Sequence, residues 1–338
     1  MRVIGRDIRK IMVTGGAGFI GSNFIRHVHG RHPGVELLNF DKLTYAGNLE
    51  NLEGIAGRYA FVQGDIRDMT AVAAALDGVD AIVNFAAETH VDRSIHDPGD
   101  FILTDVYGVF VLLEAMKARG SVKLLVHVST DEVYGSIAAG RFHEESPLNP
   151  SSPYSASKAG GDRLAYSYCK TYGLPVVIAR PANNYGPCQY PEKLIPFFVT
   201  RALQDLPLPL YGDGCNCRDW LHVEDTVRGI LSLLEQGEPG QAYNLGAGQE
   251  RSNLEVTRAI LSLLGKPESL VRRVADRKGH DFRYALDFDK ARSLGWEPQI
   301  DFDTGLRRTV EWYVRHERWW RRLIDRNEYL RPLQKNYE

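Results

Sequence analysis

Short apolar runs alternate with segments of helical length through the first half of this 338-residue chain, and no other feature narrows its fold as far. Lys10–Thr14, Val35–Phe40, Tyr59–Gln63, Ala81–Ala86, Lys123–Ser129 and Pro175–Arg180 read as strands. Most are continuously rich in Val, Ile, Leu and Phe, the pattern of strands covered on both faces. Between them, 20–30, 69–76 and 98–119 read as helices. Strand–helix–strand repetition predicts an α/β fold built on a doubly wound parallel sheet. After about Pro181 the pattern loosens into Pro- and Gly-rich loops with shorter elements. A smaller C-terminal substrate-binding lobe is expected there, over the carboxyl edge of the sheet where open α/β sheets bind ligands. The expected division is 8–182 for a nucleotide-binding domain, to which later strands can return, and 183–330 mainly for the lobe.

Charge excludes some partners. Lys and Arg number 41 against 43 Asp and Glu, a formal net charge of −2, which gives no reason to expect nucleic acid or an anionic membrane. Behind Arg2, Arg6, Arg9 and Lys10 there is no apolar stretch of the roughly 7–15 residues that a secretory signal needs. Phe101–Met116 is interrupted by Thr104, Asp105 and Glu114 and falls short of the ~20 residues that span a bilayer. Cysteines at 169, 188, 215 and 217 suit a reducing compartment, so a cytoplasmic location is expected. Cys215-Asn-Cys217 is tighter than zinc spacing and no His pair follows, so no metal is expected.

The first chemical motif is Thr14-Gly-Gly-Ala-Gly-Phe-Ile-Gly21, directly after the first strand and opening a helix. Gly15, Gly18 and Gly21 permit a tight turn and let a pyrophosphate approach the backbone at a helix N-terminus. Asp41 ends the second strand, 20 residues beyond Gly21, the spacing of an acid that binds an adenosine ribose diol. A carboxylate there repels a 2′-phosphate, so NAD is favoured over NADP. The sheet is accordingly expected to be Rossmann-type. Gly64-Asp65-Ile66, after the third strand, suits the adenine edge.

Tyr154 and Lys158 stand four residues apart, on one face of a helix. An ammonium beside a phenol favours the phenolate, which can accept an alcohol proton near neutrality. Ser129-Thr130-Asp131-Glu132-Val133-Tyr134-Gly135 lies where the fifth strand ends. Simple hydride transfer has no use for two adjacent carboxyls. Elimination of water needs a base for a C–H proton and an acid for the leaving hydroxyl, which two carboxyls with separated pKa values supply.

From about Lys10 to at least Trp312 the sequence resembles the dTDP-glucose 4,6-dehydratases of the extended short-chain dehydrogenase/reductase family. The resemblance is carried by Asp41-Lys-Leu-Thr-Tyr-Ala-Gly-Asn48, Ala86-Ala-Glu-Thr-His-Val-Asp-Arg-Ser94, Ser129–Gly135, Asn183-Asn-Tyr-Gly-Pro187 and Pro191-Glu-Lys-Leu-Ile-Pro196. Tyr211-Gly-Asp-Gly214, Arg218-Asp-Trp220 and Asp276-Arg-Lys-Gly-His280 extend it. It implies NAD-dependent dehydration of a nucleotide-glucose in deoxysugar biosynthesis, dTDP-rhamnose formation included. Tyr154, aided by Lys158 and Thr130, would take the C4 hydroxyl proton, Glu132 the C5 proton, and Asp131 would protonate the departing C6 hydroxyl. NAD would accept the C4 hydride and return it to C6. Carried over residue by residue, cofactor contacts fall on Phe19, Ile20, Asp41, Lys42, Leu43, Thr44, Asp65, Ile66, Phe85, Ala86, Ala87, Glu88, Thr89, Thr104, Tyr154, Lys158 and Asn184. Substrate contacts fall on Thr89, Thr130, Asn183, Lys193, Leu194, Pro209, Leu210, Tyr211, Arg218, Asn253, Asp276, Arg277, Lys278, Gly279 and His280.

Asp105 stands where such enzymes usually carry Asn, Lys278 where they carry Pro, and Phe85 where Leu is common. A 4-epimerase or decarboxylase of the same fold would also oxidise C4 with Tyr154 but would not need the Asp131–Glu132 pair. A silent NAD-binding regulator would need a broken set, and every member is intact. Finally, 98–119 carries too many apolar positions for one stripe, among them Phe110 and Leu113, and the helix of Tyr154 adds Ala159, Leu164, Ala165, Tyr168 and Cys169. Together they predict a homodimer joined through a four-helix bundle.

Overall fold

The structure is a computed structural model that describes residue 4, residues 6–276 and residues 279–326. Its centre is a parallel sheet of seven strands. Six are β1 (Lys10–Thr14), β2 (Glu36–Asp41), β3 (Tyr59–Gln63), β4 (Ala81–Asn84), β5 (Leu124–Val128) and β6 (Val176–Pro181). The seventh, Ala242–Leu245, comes from the C-terminal half and pairs with β6. Across the sheet the order is Ala242–Leu245, β6, β5, β4, β1, β2, β3. The connections therefore change direction between β1 and β4, and the crevice at such a switch point is the ligand site of open α/β sheets.

Two cores explain why the strand runs are continuously apolar. Ile11, Val13, Ala81, Val83, Leu124 and Val126 face the helices Phe19–Arg31 and Val223–Gln236. Met12, Ile82, Leu125, Val176 and Ile178 face the opposite way, against Met69–Ala75, Val109–Arg119 and Pro153–Tyr172. Successive residues point to opposite faces of a strand, so each must be apolar when both faces are covered. A fully buried Leu or Val contributes about 1.5–3 kcal/mol, which makes these two layers the main source of stability. β4 ends at Asn84, two residues before the expected Ala86. Phe85 and Ala86 turn out of the sheet to pack on the glycine turn, where a Cβ at Gly15 would stand 2.7 Å from the Ala86 amide nitrogen.

A third core fills the lobe. Phe198, Trp220, Ile260, Phe302, Tyr313 and Trp320 pack there, beside the small sheet of Asn183–Tyr185, Cys217–His222 and Glu250–Ser252. The strands Leu208–Tyr211 and Val271–Val274 form a separate parallel pair. Among the described residues no helix is long and apolar enough to cross a membrane, and no cluster of His, Cys, Asp and Glu could hold a metal. All four cysteines are free.

The expected helix over 98–119 is interrupted. Gly99–Ile102 and Val109–Arg119 are α-helical, but Leu103–Gly108 between them is a π-turn, a device frequent at functional sites. Asp105 lies in this turn and is 2 % exposed. Its carboxylate accepts the Glu88 amide at 3.0 Å and the Ser157 hydroxyl at 2.7 Å. The helix Pro153–Tyr172 can approach because Gly161 has no side chain; a Cβ there would lie 2.3 Å from the Asp105 carbonyl oxygen.

Burial raises Asp105 to about 6, although Lys158 and the Ser157 and Glu88 hydrogen bonds oppose the rise. The sign follows from an ordinary carboxyl value of 3.8. Above pH ~6 both folded and unfolded states are ionised, and the folded state bears the whole cost of the buried charge. As pH falls from 6 towards 3.8 only the folded state takes up the proton, and stability rises. An amide at this position keeps the Glu88 bond, and its NH2 donates to Ser157 Oγ, which still reaches the Tyr154 carbonyl at 2.8 Å. Asp105→Asn is therefore expected to be stabilising at pH 8 by about 1–2 kcal/mol, once the charge lost beside Lys158 is discounted. The advantage should shrink at pH 5. Thermal melts at both pH values check this, and a variant less stable than the parent at pH 8 contradicts it.

Candidate active site

β1 delivers the chain into the glycine turn with Gly15 in the left-handed region, at φ 67°. The Gly18 amide donates to the Gly15 carbonyl at 3.2 Å, and a Cβ at Gly21 would meet that same oxygen at 2.3 Å. Backbone thus packs directly on backbone. The helix Phe19–Arg31 has Gly18 as its N-cap and no side-chain cap, so its first amides are open to an anion. At the end of β2, Asp41 accepts the Ala17 amide at 2.9 Å and the Leu43 amide at 2.8 Å. Its carboxylate both fixes the turn and borders the cleft.

That cleft is a cavity of about 570 Å³, the size of site that takes a large organic ligand. Gly15, Gly18, Phe19, Ile20, Gly21, Asp41, Lys42, Thr44, Asp65, Ile66, Phe85–Thr89 and Thr104 line one part of it. Thr130, Asp131, Glu132, Tyr154, Lys158, Asn183 and Asn184 line another. Leu43, expected among them, is not in the lining; its part is the amide on Asp41. Asp65 is held down to about 2: burial opposes ionisation, but Arg67 and Lys42 outweigh it.

A smaller cavity of about 190 Å³ is lined by Pro209, Leu210, Tyr211, Arg218, Asn253 and His280. Glu132, Asn183, Lys193, Leu194 and Trp220 border both cavities, so the two meet beside a carboxyl group. Arg218 is buried, lies over the Tyr284 ring at 4.3 Å and donates to the carbonyls of Cys217, Asp281 and Phe282. It is no surface ion pair. Lys193 donates to the Thr89 carbonyl. Asp276 hydrogen-bonds His280 at 2.6 Å, while neither it nor Gly279 borders the cavity. Arg277 and Lys278 lie outside the described residues.

The reactive groups come from two elements. Beyond β5, Thr130 caps a short 3-10 turn, Asp131–Tyr134, by accepting the Glu132 amide. Asp131 is 2 % exposed; Thr130 donates to its Oδ1 at 3.1 Å, and Oδ2 has no partner among the described residues. Burial, then the neighbouring Glu132, pushes its pKa well above the ordinary carboxyl value, towards the protonated form. The helix Pro153–Tyr172 opens with a Ser152–Ser155 capping box and puts Tyr154 in its first turn and Lys158 in its second. Thr130 favours ionisation of the nearby Tyr154 phenol. Lys158 Nζ donates to the Val128 carbonyl at 2.8 Å, and burial lowers its pKa against the pull of Asp105 and Asp162. Tyr154 is not the ready phenolate its sequence spacing suggests: burial, then Glu132 and Asp105, holds it above its ordinary value.

Sequence reasoning passed over a clasp of polar side chains. Tyr45 donates to Glu192 at 2.9 Å, Arg93 lies over the Tyr45 ring at 4.2 Å, and Arg93 pairs with Glu88 at 3.0 Å. Tyr45, Arg93 and Glu192 stand inside motifs already quoted, so the signal was present without a reason to single them out. Tyr284 had no such signal.

Residues 12–309 match the family model described as GDP-mannose 4,6 dehydratase. A curated relative, the dTDP-glucose 4,6-dehydratase of Streptomyces niveus, is 50 % identical over 94 % of this chain and 97 % of its own. The crystal structure of DesIV, a dTDP-glucose 4,6-dehydratase from Streptomyces venezuelae with NAD bound, superposes with a TM-score of 0.90 at 53 % identity, covering 93 % of this chain and 99 % of that one. A dTDP-glucose 4,6-dehydratase from Bacillus anthracis in complex with NAD gives 0.87 at 48 %, with coverages of 93 % and 99 %. With a glycine-turn cavity, a Tyr/Lys helix and a carboxyl pair on one rim, and similarity running almost end to end, the chain belongs to the nucleotide-sugar 4,6-dehydratase family.

Proposed function

We propose that this chain removes water from a nucleotide-glucose, dTDP-glucose above all, to give the 4-keto-6-deoxy sugar nucleotide with NAD as cofactor. One observation carries the reading: Asp131 is a buried carboxyl with an unpartnered oxygen, next to Glu132 where the two cavities meet, and its burial favours the protonated form. An epimerase or a decarboxylase has no task for that acid. Residues 8–182 and the returning strand serve the cofactor, and 183–330 mainly serve the sugar nucleotide, although 327–330 lie outside the described residues.

The backbone cradle at Gly15–Gly21 would hold the pyrophosphate and Asp41 the adenosine ribose, with Asp65 and Ile66 at the adenine. NAD, once bound, would supply the acceptor for the C4 hydride and the hydride that C6 later receives, and its positive charge would favour ionisation of the Tyr154 phenol. As the phenolate, Tyr154 would take the C4 hydroxyl proton. The resulting ketone acidifies C5–H. Glu132 takes that proton, Asp131 gives its own to the departing C6 hydroxyl, and a proton returns to C5 when C6 receives the hydride. Among the described residues, Lys193 and Arg218 border the smaller cavity and would pair with the diphosphate. A cytoplasmic location fits this chemistry.

Substrate deuterated at C4 is expected to yield product deuterated at C6, with no net accumulation of NADH. Mass spectrometry of the product checks this, and label lost to solvent overturns it. UDP-glucose run alongside reads the choice of base.

Glu132→Gln and Asp131→Asn should each slow water loss by roughly 10²–10⁴-fold, the usual worth of a positioned base or acid. Tyr154→Phe should instead block the first oxidation. Near-normal water loss in both carboxyl variants would contradict the assigned roles.

We also propose a homodimer. Ile102, Leu103, Tyr107 and Phe110 are exposed along the interrupted helix, Ile102 at 51 % and Phe110 at 36 %, while Leu113 is fully buried against the sheet. On the Tyr154 helix the exposed rings are Tyr166 and Tyr172, whereas Ala165 and Tyr168 are buried in the core. Sedimentation at micromolar concentration should give about twice the 38.0 kDa of one chain. Phe110→Arg should shift it towards monomer; a wild-type species of one chain mass refutes the dimer.

A further inference from the structure

The oxidation pair and the elimination pair sit on different elements, yet both must address one sugar ring. Tyr154 and Lys158 ride on the helix Pro153–Tyr172, while Asp131 and Glu132 ride on the turn that also carries Tyr134. A single buried side chain from β6 joins the two. Arg180 is 1 % exposed and donates from Nε to Asp162 Oδ2 at 2.8 Å and from Nη2 to Asp162 Oδ1 at 2.9 Å. Asp162 is one helical turn beyond Lys158. From Nη1 the same guanidinium donates to the Tyr134 hydroxyl at 2.6 Å and to the Glu144 carbonyl at 3.1 Å. Tyr134 in turn donates a hydrogen bond to Asn244 Oδ1 at 2.8 Å. Asn244 is fixed in turn, its Nδ2 donating to the carbonyls of Phe142 at 3.1 Å and Asp287 at 2.9 Å.

We propose that Arg180 is a positioning residue that locks the oxidation helix and the elimination turn into one frame through Asp162 and Tyr134. The inference rests on the dehydratase reading of the site. Geometry sets Arg apart from Lys here. The planar fork fills both carboxylate oxygens and still has a donor for Tyr134, which a point charge on a flexible stem cannot do. Burial alone would raise Asp162, but Arg180, with Arg163 behind it, reverses this and favours the charged form. A buried, fully hydrogen-bonded pair resists displacement because parting its members strands a charge away from water. The Tyr134 ring, stacked on Phe142 at 5.0 Å and 13°, can move little as it relays this constraint to Glu132, two residues earlier in the turn.

Tyr134→Phe keeps the stacked ring and removes the Arg180 link to the elimination turn together with the bond to Asn244. Kinetics with dTDP-glucose should show kcat reduced about 10–100-fold, the scale of a misplacement of ångström size, with KM within about twofold. In a rapid-quench single turnover, C4 oxidation should keep its rate while the 4-keto sugar that still bears its C6 hydroxyl accumulates. Arg180→Lys, which loosens both links, should slow oxidation as well. Wild-type partition between the two steps in Tyr134→Phe, whatever its melting temperature, overturns the inference and makes the network merely structural. Failure of the wild-type enzyme to release water from dTDP-glucose overturns the dehydratase reading, and the inference with it.

Discussion

Parallel strands all end on the same edge of their sheet, and every reactive group of this molecule depends on that shared direction. The glycine turn follows β1, Asp41 closes β2, Phe85–Thr89 follow β4, Thr130–Glu132 follow β5, and Asn183 and Asn184 follow β6. Five chain segments thus converge on one rim without any of them having to bend far. The converse is a demand on packing. The strands can stand side by side in this way only with helices covering both faces, which is why their residues are apolar in unbroken runs and why two cores exist instead of one. The Gly161 contact with the π-turn at Asp105 belongs to the same logic, since it brings the Tyr154 helix close enough to reach the rim.

Exclusion of water then decides the protonation states. Burial pushes Asp131 up, Tyr154 up and Lys158 down, in each case towards the neutral form. For an acid that must deliver a proton this is the useful direction. For Tyr154, proposed as a base, it is the opposite of the useful one. His127, at the heart of β5, follows the same rule: burial lowers it to about 3, and the neutral ring hydrogen-bonds Asn84 at 3.1 Å.

What could be read in advance divides along physical lines. β1 begins and ends where its apolar run does, because a strand buried in a sheet announces itself residue by residue; β3, a half-exposed edge strand, also keeps the bounds of its run. Tyr154/Lys158 and Asp131/Glu132 were legible because each pair is local, set by helical spacing or by adjacency. The strand Ala242–Leu245 is only four residues long and carries too little pattern to be placed in the sheet beforehand. Contacts between distant segments leave no periodic trace: Tyr45 meets Glu192 across 147 positions, and Tyr134 meets Asn244 across 110. The interrupted helix shows a subtler limit. Being apolar all round, it reveals that two sides are covered but not which side, and only packing separates buried Leu113 from exposed Phe110.

The order of the chemistry follows from these constraints taken together. A carboxyl as weakly acidic as Asp131 cannot expel a hydroxyl from an ordinary alkyl carbon unaided; a carbanion at C5 must form alongside. That carbanion is accessible only beside a ketone, and the ketone requires Tyr154 to have acted first. Tyr154 and the carboxyl pair must therefore address one ring in succession without its release. Thr130, hydrogen-bonded to Asp131 and bordering the same cavity as Tyr154, marks how closely the two sets approach. Two elements this close, one a long helix and the other a short turn, would drift independently unless something rigid held them. The buried Arg180–Asp162 pair and its Tyr134 branch are placed to do so, where water cannot compete for their hydrogen bonds.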